Sequence, residues 1–186
     1  MPSPTLSPLR MAIMCLILKG PRSGYDLKKE FEATPMGHFS TSAGAIYPAL
    51  KRMEEAGWIT GTVENAESLR PARLLSLTDD GLAVLKSTFR QPIEKEDIVL
   101  RLDQLLLRFA FMTPLLGREA TINFLEQMID GLREYMDELK GTTKQLEGEP
   151  PEGILALQHG IESFKCTLRW AQTAHATLLH QPRTAP

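Results

Sequence analysis

The sequence predicts a mainly α chain in two parts, an N-terminal winged helix-turn-helix over residues 1–90 and an all-helical domain over residues 91–186. Three observations carry this. Three helix-like segments are followed by two short strand-like runs and a further helix, the layout of a winged helix. The charged stretch QPIEKED (Gln91–Asp97), with its proline, then marks a boundary. Beyond it, apolar residues recur at alternating steps of three and four, the spacing of helices that pack on helices.

The elements follow in order. MPSPTLSP at the start is proline-rich and expected to fray. Leu9 to Lys19 is almost wholly apolar, so it reads as a short helix buried on most sides, ended by Gly20-Pro21. Gly24 to Glu32 reads as an amphipathic helix through Leu27 and Phe31, and ATPMGHF as a loop. Ser40, Thr41 and Ser42 all suit the cap of a third helix that runs to about Ala56, with Ile46, Leu50 and Met53 on its buried face and Gly57 as its stop. WITGTV and ARLLSLT then read as strands, joined by the polar ENAESLRP. Thr78 is expected to cap TDDGLAVLKSTF, whose first turn holds two acids where the helix dipole favours them.

In the C-terminal part, three seams stand out. Ile98, Leu102, Leu105, Phe109 and Met112 form the first; Ile122, Leu125, Ile129, Leu132, Met136 and Leu139 the second. Ile154, Leu157, Ile161, Phe164, Leu168, Ala171, His175 and Leu178 form the third. Pro114 is expected to break the first helix from the second, and EGEPPEG the second from the third. Val99, Leu106, Leu107, Leu155 and Leu179 are apolar beyond these stripes, so their helices need more than one neighbour. A few helices in one chain offer few neighbours. A second copy supplies the rest, which makes a homodimer the expectation.

Composition sets the remaining bounds. The 186 residues carry a net charge of −2, and 42% are hydrophobic, which suits a globular chain. Residues 1–90 hold 11 Lys/Arg against 9 Asp/Glu, and the rest hold 10 against 14, so the N-terminal half is +2 and the C-terminal half −4. No apolar run reaches the roughly 18 residues that cross a bilayer. MAIMCLILKG is too short for that, and no cleavage site follows it, so no membrane or signal segment is expected. Cys15 and Cys166 lie far apart in apolar patterns and read as buried free thiols of a cytoplasmic protein.

The segment SAGAIYPALKRMEEAGWIT (Ser42–Thr60) carries the functional signal. Its first turn is made of small residues, Ser42, Ala43, Gly44 and Ala45, at a cost in helix stability of about 1 kcal/mol for the glycine. Such a turn lets backbone N–H groups come close to a phosphate. In a helix-turn-helix, the second helix enters the major groove by this end. Tyr47 lies off the Ile46–Leu50–Met53 face, Lys51 and Arg52 follow one turn later, and the acids Glu54 and Glu55 come only at the far end.

Three stretches resemble the PadR family of bacterial transcriptional regulators. GPRSGYDLKKEFE is similar to the family's G-P-x-H-G-Y-E/D-L, SAGAIYPALKRMEEAGWI to S-x-G-x-I-Y-P-x-L-x-R-L-E-x-x-G-L-I, and RPARLLSLTDDG to R-x-x-Y-x-L-T-x-x-G. The motifs cover about residues 9–90; the helical remainder resembles the longer subgroup in which it makes the dimer. The resemblance implies a homodimer on a pseudo-palindromic operator of double-stranded DNA, usually a repressor, often released by a small aromatic or amphipathic ligand. It places Tyr25, Ser42, Gly44, Tyr47 and Pro48 on the DNA-facing motif. Lys51 and Arg52 suit phosphate contact by placement, Ala45 belongs to the small first turn, and Arg70 and Arg73 fall in the wing. Ser23 stands where the family has histidine, Leu74-Leu75 replace the wing aromatic, and the wing loop carries Glu64 and Glu67.

Other residues admit plainer readings. Trp58 suits packing between wing and helices. Trp170 can line a ligand pocket with Phe164 or Met136, or simply pack against a neighbour. His175 on a seam suits a hydrogen-bonded histidine. The four histidines lack ligand spacing, and no phosphate-binding loop or nucleophile motif is present, so neither a metal, a cofactor nor an enzyme is expected. The rival from another class is a winged helix that binds a protein instead of DNA, which the net charge of −2 favours slightly.

Overall fold

The computed structural model describes residues 6–39, 42–64, 72–144 and 150–180. The chain divides into two compact units, Met1–Gln91 and Pro92–Pro186.

In the first unit, α1 spans Pro8–Leu18. It begins inside the proline-rich stretch because Pro8 suits a first helical turn and the Ser7 hydroxyl accepts from the Arg10 N–H at 3.4 Å. Met11 through Ile17 are all buried, so α1 is the hub of this core. Each such large apolar side chain contributes about 1.5–3 kcal/mol on burial. The chain then forms β1 (Arg22–Ser23) and α2 (Gly24–Ala33), a 3-10 turn at Pro35–His38 where a plain loop is expected, and α3 (Ala43–Glu55). Leu27 and Phe31 of α2 and Ile46, Leu50 and Met53 of α3 are buried, as their spacing predicts.

Gly57, at φ 72°, ends α3 in the left-handed conformation that glycine adopts without penalty. β2 (Ile59–Glu64) and β3 (Ala72–Leu77) follow, antiparallel, with Ile59 opposite Leu77 and Gly61 opposite Leu75. The sheet has a third strand that the sequence does not announce. β1 pairs with β3, Arg22 opposite Leu75 and Ser23 opposite Leu74, giving the order β1-β3-β2. α4 (Asp79–Phe89) closes the unit. The Thr78 hydroxyl caps it, accepting from the Gly81 N–H at 3.0 Å and donating to the Gly57 carbonyl at 2.6 Å. Gly81 is required here, since a methyl group on it would lie 1.9 Å from the Trp58 carbonyl oxygen.

The second unit is all helical: α5 (Lys95–Leu100), α6 (Leu102–Leu116), α7 (Arg118–Lys144) and α8 (Pro151–His180). Two expectations need correction. The first seam does not lie on one helix; it is interrupted at Arg101, whose backbone leaves the helical region and whose guanidinium pairs with Glu96 at 2.7 Å and Asp97 at 3.2 Å. Pro114 does not end α6, which continues to Gly117 at φ 87°. The proline forfeits a bond to the Ala110 carbonyl, but both residues are exposed, where solvent can replace it.

α7 buries Leu125, Ile129, Leu132 and Met136 of its seam, together with Phe124 and Met128. Leu125, Ile129 and Ala171 form a core, with Phe109, Leu168, Ala174 and Leu178 packed around it. Along α8, however, Ala171 is the one buried seam residue; the other seven are half-buried. Arg108, a buried cation that the seam pattern does not suggest, lies with its guanidinium carbon 5.0 Å from the centre of the Phe124 ring. Burial lowers its pKa, and the nearby Asp97 opposes that. Cys15 is buried, which pushes its thiol up, but Cys166 is exposed, contrary to expectation. It lies on the outer side of α8, off the seam.

Candidate nucleic-acid interface

The N-termini of α2 and α3 form the candidate surface. α2 opens on a capping box. Ser23 Oγ accepts from the Asp26 N–H at 3.1 Å, and Asp26 Oδ2 accepts from the Ser23 N–H at 3.2 Å and the Ser23 hydroxyl at 2.7 Å. The Ser23 side chain is the first cause that holds the Asp26 carboxyl below its usual range. So the serine that replaces the family's histidine has a structural task, which the S-x-x-D spacing could have revealed.

Next to it, Tyr25 is 68% exposed and Tyr47 50% exposed. Exposed aromatic rings at the openings of two helices that bury their other large apolar residues are costly unless something covers them. The Tyr47 ring runs past Gly24, where the lack of a side chain leaves room for it. Lys28 stands beside them, its ammonium 2.8 Å from Glu32; that bond first, and Tyr25 and Tyr47 to a lesser degree, raise its pKa.

On α3, Ser42, Gly44 and Pro48 are exposed and Ala45 is half-buried. Around Gly44 there is open space, for a methyl there would meet nothing nearer than the Ser42 hydroxyl at 3.4 Å. Pro48 is the sixth residue of α3, so it does forfeit the bond to the Gly44 carbonyl, at a position where both residues are exposed. Lys51 and Arg52 are exposed one turn on, Lys51 with only a loose 3.8 Å approach to Glu55.

Arg73 forms a two-pronged pair with Glu54, at 2.6 and 3.2 Å, across from β3 to the C-terminal end of α3. Arg70 lies outside the described residues, as do Ser40 and Thr41. The three ligand candidates have different surroundings. Met136 is buried, Phe164 meets Tyr135 edge-on at 5.0 Å, and Trp170 meets Phe109 edge-on at 5.1 Å. A cleft of about 330 Å³ between α7 and α8 is lined by Glu126, Ile129, Asp130, Arg133, Gln172 and His175. His175 Nε2 lies 3.1 Å from Glu126 in it. Among the described residues, no group of His, Cys, Asp and Glu is arranged to hold a metal ion, and no helix is long and apolar enough to cross a membrane.

Residues 13–87, which contain this whole surface, match the transcriptional regulator PadR-like family. The matched stretch lies within the first unit, which is therefore PadR-like. Over 180 residues it is 26% identical to the negative transcriptional regulator PadR of Bacillus subtilis, covering 91% of this chain and 97% of that protein. Two crystal structures of the Bacillus subtilis protein are similar to it. The complex with operator DNA is 24% identical, covers 91% of this chain and 98% of that one, and has a TM-score of 0.41. The complex with p-coumaric acid is 23% identical, covers 94% and 97%, and has a TM-score of 0.40. The PadR-like family is one of transcriptional regulators.

Proposed function

We propose that this PadR-like chain is a homodimeric repressor in which residues 1–90 bind operator DNA and residues 91–186 hold two copies together. The N-terminal turn of α3 enters the major groove. Ser42, Gly44 and Ala45 let the backbone approach, Tyr47, Pro48 and Tyr25 meet the groove, and Lys51 and Arg52 neutralise phosphates. Arg70 is assigned to the flanking DNA backbone. The observation that carries the reading is the pair Tyr25 and Tyr47, exposed in the first turn of α2 and the second turn of α3.

Pairing is supported by α8, whose long apolar seam one chain covers only in part. Repression is supported by the Bacillus subtilis relative, a negative regulator. An effector, small and aromatic or amphipathic, is proposed from the family resemblance alone. It acts by binding better to a dimer whose half-site spacing no longer fits the operator.

The test is fluorescence anisotropy on DNA from upstream of the protein's own gene, against a scrambled duplex at two salt concentrations, with Tyr47→Ala alongside. Selective binding that falls steeply with salt and is lost in the variant is expected. Equal affinity for both duplexes, with a dimer intact, would turn the reading toward a winged helix that binds a protein. p-Coumaric acid, the ligand held by the Bacillus subtilis protein, is the first compound to titrate into the complex.

A further inference from the structure

The wing of this protein is tied to α3 by a built contact. Arg73 reaches from β3 to Glu54 in the last turn of α3, with Nη2 2.6 Å from Oε1 and Nη1 3.2 Å from Oε2. On its way the guanidinium crosses β2 at Gly61, where a methyl would lie 2.5 Å from Nε and 2.9 Å from Cζ. Three elements thus meet at one planar group. The strand supplies a glycine to clear its path, and the helix supplies a carboxylate only 23% exposed to receive it. A two-pronged guanidinium–carboxylate pair fixes direction as well as distance. The Arg73 side chain is itself 59% exposed, so what the pair fixes is the direction of the guanidinium, which it turns toward α3.

We infer that Arg73, Glu54 and Gly61 form a clasp that sets the wing against the recognition helix, and that Arg73 is a positioning residue for DNA binding and not a DNA contact. The inference rests on the proposed DNA-binding role. In a protein with a loosened wing, only the fraction with the wing in place is competent, and the apparent affinity falls by that fraction. The two roles for Arg73 make opposite predictions for Glu54. If Arg73 touches phosphate, removing the acid frees it and takes a negative charge away from DNA, so binding is unchanged or tighter. If Arg73 is a clasp, removing the acid weakens binding.

The experiment uses the full chain with Glu54→Gln, Gly61→Ala, Arg73→Ala and the double variant Arg73→Ala/Glu54→Gln. Gly61→Ala is the telling one, since it displaces the guanidinium and leaves both charges present. Affinity for the selected duplex is measured over a salt series. Amide hydrogen exchange of β2 and β3 is measured on the free protein. Each single variant is expected to bind about fivefold more weakly, and the double no worse than either single. The salt slope is expected to stay at the parent's value, and the strand amides to exchange faster. Glu54→Gln or Gly61→Ala binding as tightly as the parent would overturn the clasp. So would a slope reduced by about two per dimer in Arg73→Ala, the mark of one lost phosphate contact in each copy. Unchanged strand exchange would overturn it as well. Should the parent itself select no duplex, the DNA-binding reading falls, and the clasp is still decided by the exchange of its strands.

Discussion

The ring of Tyr47 occupies the space that a side chain on Gly24 would need: a methyl there would lie 2.8 Å from Cε1 of the tyrosine. The start of α2 and the second turn of α3 therefore touch through a glycine and an aromatic ring. Gly24→Ala is expected to push the ring aside at little cost in stability, because the obstacle is the end of a side chain and alanine favours the helix. The expected result is an unchanged or slightly raised Tm with DNA binding weakened about tenfold, or ~1.4 kcal/mol. Thermal melts and anisotropy on the same preparation check both halves.

The capping box gives a prediction with a pH dependence. Ser23→Ala should cost about 1 kcal/mol at neutral pH. Asp26 has its pKa lowered in the fold, chiefly by the Ser23 side chain. A lowered carboxylate pKa adds stability above the unfolded value, about 4, and that stability is lost as pH falls through the folded value. The gap between parent and Ser23→Ala is therefore expected in full at pH 7 and reduced at pH 3. Denaturant melts at the two pH values measure it.

Gly81→Ala tests the junction of wing and α4. The added methyl meets the carbonyl of Trp58 at 1.9 Å, and that carbonyl also accepts the Thr78 N–H at 3.1 Å. Backbone must move, so a loss of about 3 kcal/mol is expected, far more than at Gly24. A fall in Tm of the winged-helix unit, read by circular dichroism, checks it; a Tm equal to the parent's would contradict the packing described.

Leu155 of α8 is 62% exposed. In the homodimer proposed above, Leu155→Glu should leave the chain folded and raise the dissociation constant about 30-fold. Sedimentation equilibrium reads the change, and DNA affinity at low protein concentration should fall with it.

Much of the fold is legible in the sequence where one signal acts alone. Ile46, Leu50 and Met53 announce the buried face of α3 by spacing, Gly57 its end and Thr78 the cap of α4. Signals fail where they compete. Pro114 reads as a breaker, but at an exposed position near a helix end the lost bond is cheap, and Gly117 makes the stop. The break at Arg101 has no glycine or proline to mark it; ion pairs with Glu96 and Asp97 hold it. β1 is two residues long, too short for any periodicity. On the candidate surface, Tyr25, Tyr47, Lys51 and Arg52 stand exposed where the motif puts them. The Arg73–Glu54 pair joins residues 19 apart, and nothing in a linear pattern aims one at the other. Met136 and Phe164 lie on seams and Trp170 off them, and which side chains they meet depends on how α6, α7 and α8 are turned about their own axes.

Ser23 belongs to two structures at once. Its backbone lies in the sheet, opposite Leu74, and its side chain closes the first turn of α2. A thermal fluctuation that peels the root of the hairpin must pull at the same residue that holds the helix shut. At this root the two elements therefore fray together: opening the sheet there also unlatches the first turn of α2.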